Sequence, residues 1–350
     1  MNKFKPKKEN KCKSDTISYS IFSDYRGVIM GLATIMIVIF HSYLKFDKCL
    51  HINNFSINSI LLKLNSGVDL FLLLSGIGLY YSWHNDPNLK HFYKKRALRI
   101  LPTLFIFITL WSIYINPNLT FGKYLKSIFL IDFWANGQRG FWYFSLLIPL
   151  YLIYPLIHNL YDKYNLKGFI SALLISFFIT ILIYLFIPNY YNIWNIALFR
   201  IPPFLIGAWF GKMAFEKKKF NKALLFFVTI IFILLIFIYG KVKFNSIEMM
   251  RLTEIIFSIC ILFIFSTICY RHNLKRTKNF LTWIGKYSME IYLIFERVFI
   301  VLKDKYPFHE STGTLQAFCF FIITIILAIF LKNICNTLKK ELFNQEQKVI

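Results

Sequence analysis

The chain has 350 residues, of which 57% are hydrophobic and 19% aromatic, and it carries a formal net charge of +24 at pH 7. This apolar fraction exceeds that of ordinary soluble domains and indicates a protein of the lipid bilayer. The basic residues lie in short clusters between apolar runs, which is typical of membrane-protein loops and argues against nucleic acid as a partner. Six cysteines without metal-ligand spacing predict neither a metal site nor a disulfide framework.

Ten apolar segments of roughly 17–25 residues follow in chain order, each long enough to cross a bilayer. They cover residues 26–46, 60–83, 99–115, 141–159, 168–187, 193–211, 222–240, 250–270, 282–302 and 314–334. Alternating these spans places most lysines and arginines on the side of the N-terminus, which is the cytoplasmic side by the positive-inside rule. The sequence therefore predicts an all-α integral membrane protein with about ten transmembrane helices in one bundle and a cytoplasmic N-terminus.

The same pattern divides the chain into a basic cytoplasmic tail (1–24), a transmembrane domain (25–335) and a second cytoplasmic tail (336–350). Between the third and fourth spans, Thr120–Trp134 is too short and too charged to cross. Its apolar residues recur at helical spacing, which predicts an amphipathic helix on the outer surface.

Several ionisable side chains lie inside the predicted spans, where each is costly and calls for a reason. The helical rise of about 1.5 Å per residue places them at a similar depth, roughly 17–22 Å from the cytoplasmic face. They are His41, Asp69, Arg200, Glu296 and Arg297. One interpretation is a shared buried site in which Asp69 orients His41 as a general base. The alternative is that these acids and bases pair only to hold the helices together.

Six segments, in order, resemble the acyltransferase 3 family of integral membrane O-acyltransferases. The most specific is SGVDLFLLLSGIGLYYSW (Ser66–Trp83), similar to the family's Val-Asp-Leu-Phe-Phe run before Ser-Gly. The others are MGLATIMIVIFHS (Met30–Ser42), which resembles the first span ending in the essential His, FYKKRALRILP (Phe92–Pro102), FWYFSLLIPLYLIYPLI (Phe141–Ile157), FRIPPFLIGAWFG (Phe199–Gly211) and IGKYSMEIYLIF (Ile284–Phe295).

Two positions depart from the family pattern. The family Arg that stands ten residues before the His is replaced by Gly31, and Arg26 lies five residues earlier. Either Arg26 substitutes for it, or another base does. A second family His falls at Phe295, which Glu296 follows, and no catalytic role is assigned there.

The resemblance implies transfer of an acyl group, usually acetyl from acetyl-CoA, to a sugar hydroxyl. His41 acts as general base or transient acyl acceptor, and Asp69 orients it. Arg200 stabilises the thioester oxyanion or binds the acceptor. The remaining candidates for substrate binding are Arg26, Arg96, Arg99, Glu296, Arg297 and Trp142. Arg96 and Arg99 lie where the CoA phosphates would be met, although both also fit a role in membrane topology alone.

The expected partners are acyl-CoA, a carbohydrate acceptor and the bilayer, with no tightly bound cofactor and the oligomeric state undetermined. The expected location is the cell membrane of a bacterium, with a capsule, an exopolysaccharide or a lipid-linked precursor as acceptor. The competing class is a transporter or flippase for a lipid-linked sugar, in which the buried charges would bind and release substrate. The six other histidines are interpreted as surface residues, and Ser75, Gly76 and Gly78 as helix-packing residues.

Overall fold

A computed structural model describes residues 15–50, 55–115, 120–242, 246–305 and 313–348, and nearly all of them are helical. Two short strands are β1 (Thr16–Ser18) and β2 (Lys219–Asn221). The helices are α1 (Ile21–Asp24), α2 (Arg26–Leu50), α3 (Phe55–Lys63), α4 (Gly67–Asn85), α5 (Leu89–Ile115), α6 (Phe121–Ile128), α7 (Ile131–Asn136), α8 (Trp142–Phe186), α9 (Pro188–Leu198), α10 (Ile201–Phe215), α11 (Lys222–Lys241), α12 (Ile247–Arg271), α13 (Lys275–Lys286), α14 (Ser288–Lys305) and α15 (Gly313–Lys348). Single 3₁₀ turns cover Leu64–Ser66 and Arg139–Phe141.

Within these described residues, eight helical segments are long and apolar enough to cross a membrane, and the chain is an all-α integral membrane protein. The segments are Arg26–Leu44, Ile57–Asn85, Leu89–Tyr114, Arg139–Phe186, Pro188–Phe215, Lys222–Lys241, Ile247–Arg271 and Phe318–Leu338. Large apolar side chains along them, such as Leu156, Phe186 and Phe226, are exposed, as a lipid-facing surface requires.

Three predicted spans differ in detail from the structure. The 48-residue segment Arg139–Phe186 coincides with the predicted spans 141–159 and 168–187, and its backbone leaves the helical conformation at Asn165, where φ is 48°. The predicted span 282–302 is interrupted, because α13 ends at Lys286 and α14 begins at Ser288.

Helices α4 and α10 pack with their backbones in close contact, and glycines make this approach possible. A Cβ at Gly207 would lie 2.1 Å from the Leu73 carbonyl oxygen, and one at Gly76 would lie 2.3 Å from the Phe204 carbonyl oxygen. Small residues at such crossings are how helices associate in a membrane. The interpretation of Gly76 as a packing residue agrees with this geometry.

We expect Gly207→Ala to lower the midpoint of thermal unfolding in detergent, since the new methyl group would force α4 and α10 apart. Overpacking of this kind costs about 1–3 kcal/mol. The matched control is Gly122→Ala in α6, where a Cβ would meet nothing within 4 Å. An unchanged midpoint for Gly207→Ala would contradict the close α4–α10 contact.

Helix α2 packs equally closely on α13. A Cβ at Gly31 would lie 1.9 Å from the Leu281 carbonyl oxygen, and one at Gly285 would lie 2.3 Å from the Gly27 carbonyl oxygen. Position 31 therefore faces the backbone of a neighbouring helix, and it has no room for a long side chain.

The end of the bundle at which α2 begins is called the N-terminal face below, and a small sheet lies on it. Strands β1 and β2 pair antiparallel, with Ile17 opposite Phe220. Ile17 and the α1 residues Ile21 and Phe22 are buried. Several residues of the predicted N-terminal tail therefore pack on this end of the bundle, and the domain boundary at residue 24 stays a prediction.

The stretch predicted as one amphipathic surface helix forms two. Helix α6 ends at Ile128, and α7 begins at Ile131 after Leu130 adopts a left-handed conformation with φ of 58°. The Trp194 indole nitrogen donates to the Trp134 carbonyl oxygen at 2.9 Å, which fastens the end of this stretch to α9.

Candidate active site

Two cavities lie within the bundle and meet near its centre. The N-side cavity, of about 190 Å³, is lined by residues from Arg26 at the start of α2 inwards. The far-side cavity, of about 260 Å³, surrounds His41 further along the same helix. Both linings contain Ile37, Val68, Phe71, Ser288 and Tyr292. Molecules bound in the two cavities would therefore be separated by this shared wall.

The N-side cavity is rich in positive charge. Its lining has the cations Arg26, Arg99, Lys286 and Lys332 against a single acid, Glu290. Lys332 Nζ lies 3.3 Å from a Glu290 carboxylate oxygen, so one cation is neutralised locally. Arg26, Arg99 and Lys286 also line a wider depression of about 600 Å³ towards the N-terminal face. Three cations without an acidic partner in this lining suit the binding of phosphate groups.

Arg26, the candidate substitute for the missing family Arg, lines the N-side cavity. Its guanidinium lies against Gly78, where a Cβ would be 3.0 Å from the Arg26 Cζ. Position 31 points away towards α13, so an arginine there would not fit in this chain. The glycine at position 78 is thus explained by the close approach of Arg26, in addition to helix packing.

The structure separates the two arginines of the predicted phosphate motif. Arg99 lines both the N-side cavity and the depression beneath it. Arg96 donates through Nη2 to Ser82 Oγ, and its Cζ lies 5.4 Å from the centre of the Phe92 ring. Of the two, Arg99 is placed to contact a ligand, whereas Arg96 holds α5 against α4.

The far-side cavity contains three of the predicted site residues. His41, Trp142 and Glu296 all line it. His41 follows Ile37 of the shared wall by one helical turn, which is a rise of about 6 Å. Phe295, at the position of the second family His, lines the same cavity. The imidazole therefore lies one turn beyond the place where the two cavities meet.

Asp69 and Arg200 form a buried ion pair behind that lining. Arg200 Nε lies 3.6 Å from Asp69 Oδ1, and the two side chains are 1% and 2% exposed. Arg200 Nη1 donates to the Ile196 carbonyl oxygen at 3.0 Å, and its Cζ lies 4.9 Å from the Trp142 ring centre. Neither charged residue lines the two cavities.

The predicted pairing of Asp69 with His41 is therefore replaced by the pairing of Asp69 with Arg200. Asp69 and Arg200, which were predicted at similar depth, do lie together, and Trp142 connects this pair with the cavity that contains His41. Arg200 thus packs on the Trp142 ring, which in turn lines the far-side cavity.

Arg297 is held away from the cavity lining. It donates to the Gly140 carbonyl oxygen and, at 3.0 Å, to Glu296, and its Cζ lies 4.6 Å from the Phe141 ring centre. These contacts attach α14 to the turn before α8. The geometry favours an anchoring role for Arg297 and leaves Glu296 as the member of this pair that faces the cavity.

The structure adds residues that the sequence did not single out. Arg139 and Arg251 line the far-side cavity, and Arg251 donates to the buried Glu254 at 2.7 Å. Tyr151 lines the N-side cavity and shares a hydrogen bond of 2.7 Å with Ser75, a residue interpreted above as one of helix packing. Basic residues near span ends were visible in the sequence as topology signals, but their position around a cavity depends on tertiary packing.

Comparison with known proteins gives one family. The model of an acyltransferase domain, that of the acyltransferase 3 family, matches residues 28–332. The regulator of hypoxia-inducible factor 1 of Caenorhabditis elegans is 31% identical over 124 residues, a match that covers 29% of this chain and 24% of that protein. The chain thus spans about a quarter of the length of this relative. No solved structure matches.

Proposed function

The chain belongs to the acyltransferase 3 family, and on that premise we propose that it carries acetyl from acetyl-CoA, bound in the N-side cavity, to a carbohydrate hydroxyl in the far-side cavity. The observation that carries the proposal is the wall common to the two cavities. A donor too large and too charged to cross the bilayer can deliver its acyl group through such a junction while its nucleotide part stays on one side.

The donor enters from the N-terminal face, which we assign to the cytoplasm. Arg26, Arg99 and Lys286 at the mouth of the N-side cavity meet the phosphates of CoA, and its apolar interior receives the pantetheine arm. The hydroxyls of Ser75, Tyr151 and other lining residues supply hydrogen bonds along this path.

The acceptor occupies the far-side cavity. His41 removes the proton from the attacking hydroxyl, whose oxygen forms a bond to the thioester carbonyl carbon while the CoA thiolate leaves. A transient acyl-imidazole at His41 would divide the same transfer into two steps. The Asp69–Arg200 pair acts as a positioning element through Trp142, in place of the roles that the sequence predicted for these two charges.

The lining of the far-side cavity suits a sugar. It combines the rings of Trp142 and Tyr292 with the polar groups of His41, Glu296 and Arg139. Apolar faces with a few convergent hydrogen-bonding groups are typical of small-molecule sites. A cell-surface polysaccharide or its lipid-linked precursor in a bacterial cell membrane is the acceptor that we propose.

The direct test measures free CoA released from acetyl-CoA by the purified protein in detergent, together with acetylation of a panel of oligosaccharides followed by mass spectrometry. CoA release that rises with one acceptor, together with a mass gain of one acetyl group on that acceptor, supports the proposal. If acetyl-CoA does not bind to the folded protein at all, the assignment of the N-side cavity to this donor is wrong.

We expect Arg99→Gln to raise the apparent KM for acetyl-CoA by about 10–100-fold, because a hydrogen bond to a charged group contributes about 1.5–3 kcal/mol. Arg96→Gln is the matched control: it removes the same charge one turn earlier on α5, from a side chain held on Ser82. We expect its KM to change by less than about threefold. Equal effects of both changes would indicate a long-range field in place of a contact at Arg99.

A further inference from the structure

A cluster of metal-ligating side chains lies towards the N-terminal face, outside both cavities. It consists of His84 in the last turn of α4 and of His158 and Asp162 on α8. None of the three lines the N-side or the far-side cavity. The interpretation of His158 as a surface residue is wrong, because its side chain is only 6% exposed.

The three ligand atoms already converge. His158 Nδ1 lies 3.6 Å and His84 Nδ1 4.0 Å from Asp162 Oδ2, and one ligand atom from each residue lies within 4.8 Å of the others. His158 and Asp162 are four residues apart, so they share one face of α8. Ligands of a tetrahedral zinc ion, each at about 2.0–2.2 Å from it, are about 3.4 Å apart. Small side-chain rotations would close the remaining gap.

The burial of the His158 imidazole supports a bound ion independently of these distances. Both of its ring nitrogens are buried, and neither makes a hydrogen bond of good geometry among the described residues, although the Asp162 carboxylate lies 3.6 Å from Nδ1 and the Asn159 side chain is a further polar neighbour. Buried polar atoms are almost always paired, since burial without a partner costs free energy. The Tyr80 ring packs on the imidazole, with ring centres 4.7 Å apart, and fixes its plane without satisfying its nitrogens. The missing partner is therefore expected in the direction of Asp162 and His84.

Hydrogen bonds from neighbouring side chains orient the Asp162 carboxylate. The Tyr80 hydroxyl and Lys212 Nζ donate to Asp162 Oδ1 at 2.8 and 3.2 Å, which leaves Oδ2 facing the two imidazoles. Lys212 is also 3.3 Å from Glu216, so its charge is shared between two acids. Such contacts to a ligating carboxylate orient it in known metal sites. If both histidines are neutral, Asp162, Lys212 and Glu216 together carry one net negative charge, which favours the binding of a cation.

We propose that His84, His158 and Asp162 bind a Zn²⁺ ion, with water at a fourth position. Two imidazoles and one carboxylate are ligands that zinc accepts in a tetrahedral site. The ion would join α4 to α8, and Lys212 would extend the link to α10. Asp69 lies on α4, Trp142 on α8 and Arg200 immediately before α10, so the ion would stabilise the frame of the far-side cavity from the opposite face.

The experiment uses the full chain in detergent, with its affinity tag removed, and adds zinc alone after treatment with a chelator. We expect about one bound equivalent of Zn²⁺ by mass spectrometry, a higher unfolding midpoint, and cobalt absorption of tetrahedral type when Co²⁺ replaces zinc. His158→Gln, His84→Gln and Asp162→Asn should each lower the zinc affinity by at least about tenfold. His272→Gln, which alters an exposed histidine at the end of α12, should bind zinc as the unaltered chain does.

The test remains decisive even if His158→Gln folds poorly. His84 is partly exposed, with 38% of its side chain accessible, so His84→Gln leaves the core intact and still removes one ligand. Absence of zinc binding by the unaltered chain overturns the proposal, and so does equal binding by His84→Gln. The cluster would then be a set of contacts around Asp162 that only holds α4 against α8.

Discussion

Replacement of His41 by glutamine is expected to slow acyl transfer by about 10²–10⁴-fold while the bundle stays folded, because general-base catalysis contributes that factor. His41 is the histidine in the far-side cavity lining, one turn of α2 from the wall shared with the N-side cavity. Glutamine keeps the size and polarity of the side chain but cannot accept a proton near neutral pH. The measured quantity is the acceptor-dependent rate of CoA release at saturating acetyl-CoA.

The matched control for this change is His272→Gln, which removes an imidazole from an exposed position. Gel filtration and the unfolding midpoint establish that both variants are folded. Transfer by His41→Gln at the rate of the unaltered chain would sink the catalytic role, and His41 would then be a residue that packs on Phe40, whose ring centre is 5.1 Å away.

Replacement of Asp69 by alanine is expected to reduce the free energy of unfolding by about 3–5 kcal/mol, the usual cost of leaving one partner of a buried ion pair without the other. Arg200 would keep its charge in a site where it is 1% exposed and where Nε and Nη2 have no hydrogen-bond partner among the described residues. Reversible unfolding in mixed detergent micelles measures the change.

Two further variants show whether the loss of stability in Asp69→Ala comes from the ion pair or from the removal of any acidic side chain. Asp86→Ala removes a partly exposed carboxylate, whose hydrogen bond from Lys95 lowers the pKa of Asp86, and should leave stability almost unchanged. The double change Asp69→Ala with Arg200→Met removes both charges and should recover part of the loss. If Asp69→Ala is as stable as the unaltered chain, the pair does not exist as described.

The sequence predicted the membrane class and the position of most helices because long apolar runs depend on composition alone. It also predicted from depth that Asp69 and Arg200 belong to one buried site, and the family resemblance added Trp142 as a separate candidate for substrate binding. The error was the partner: depth fixes a level along the membrane normal but not a direction around the helix axis. Asp69 therefore faces Arg200, which immediately precedes α10, although His41 lies at a similar depth.

Other features depended on contacts between distant parts of the chain. His158 and Asp162 show helical spacing in the sequence, but the third member of the cluster, His84, joins them only through the packing of α4 on α8. Glu290 illustrates the same limit: Lys286 stands one turn before it, yet its ion pair forms with Lys332 of α15. Local spacing cannot choose between a neighbour on the same helix and one brought close by the fold.

The ribbon of β1 and β2 has a consequence for how the chain is threaded through the membrane. Because Ile17 pairs with Phe220, both points of the chain lie on one side of the bilayer, and the number of crossings between them must be even. Five candidate segments lie in that interval, which is odd. The parity is restored when Arg139–Phe186 crosses twice and reverses at Asn165, where the helix breaks. A peptide tag inserted beside Asn165 should therefore be accessible from the same side of the membrane as the N-terminus.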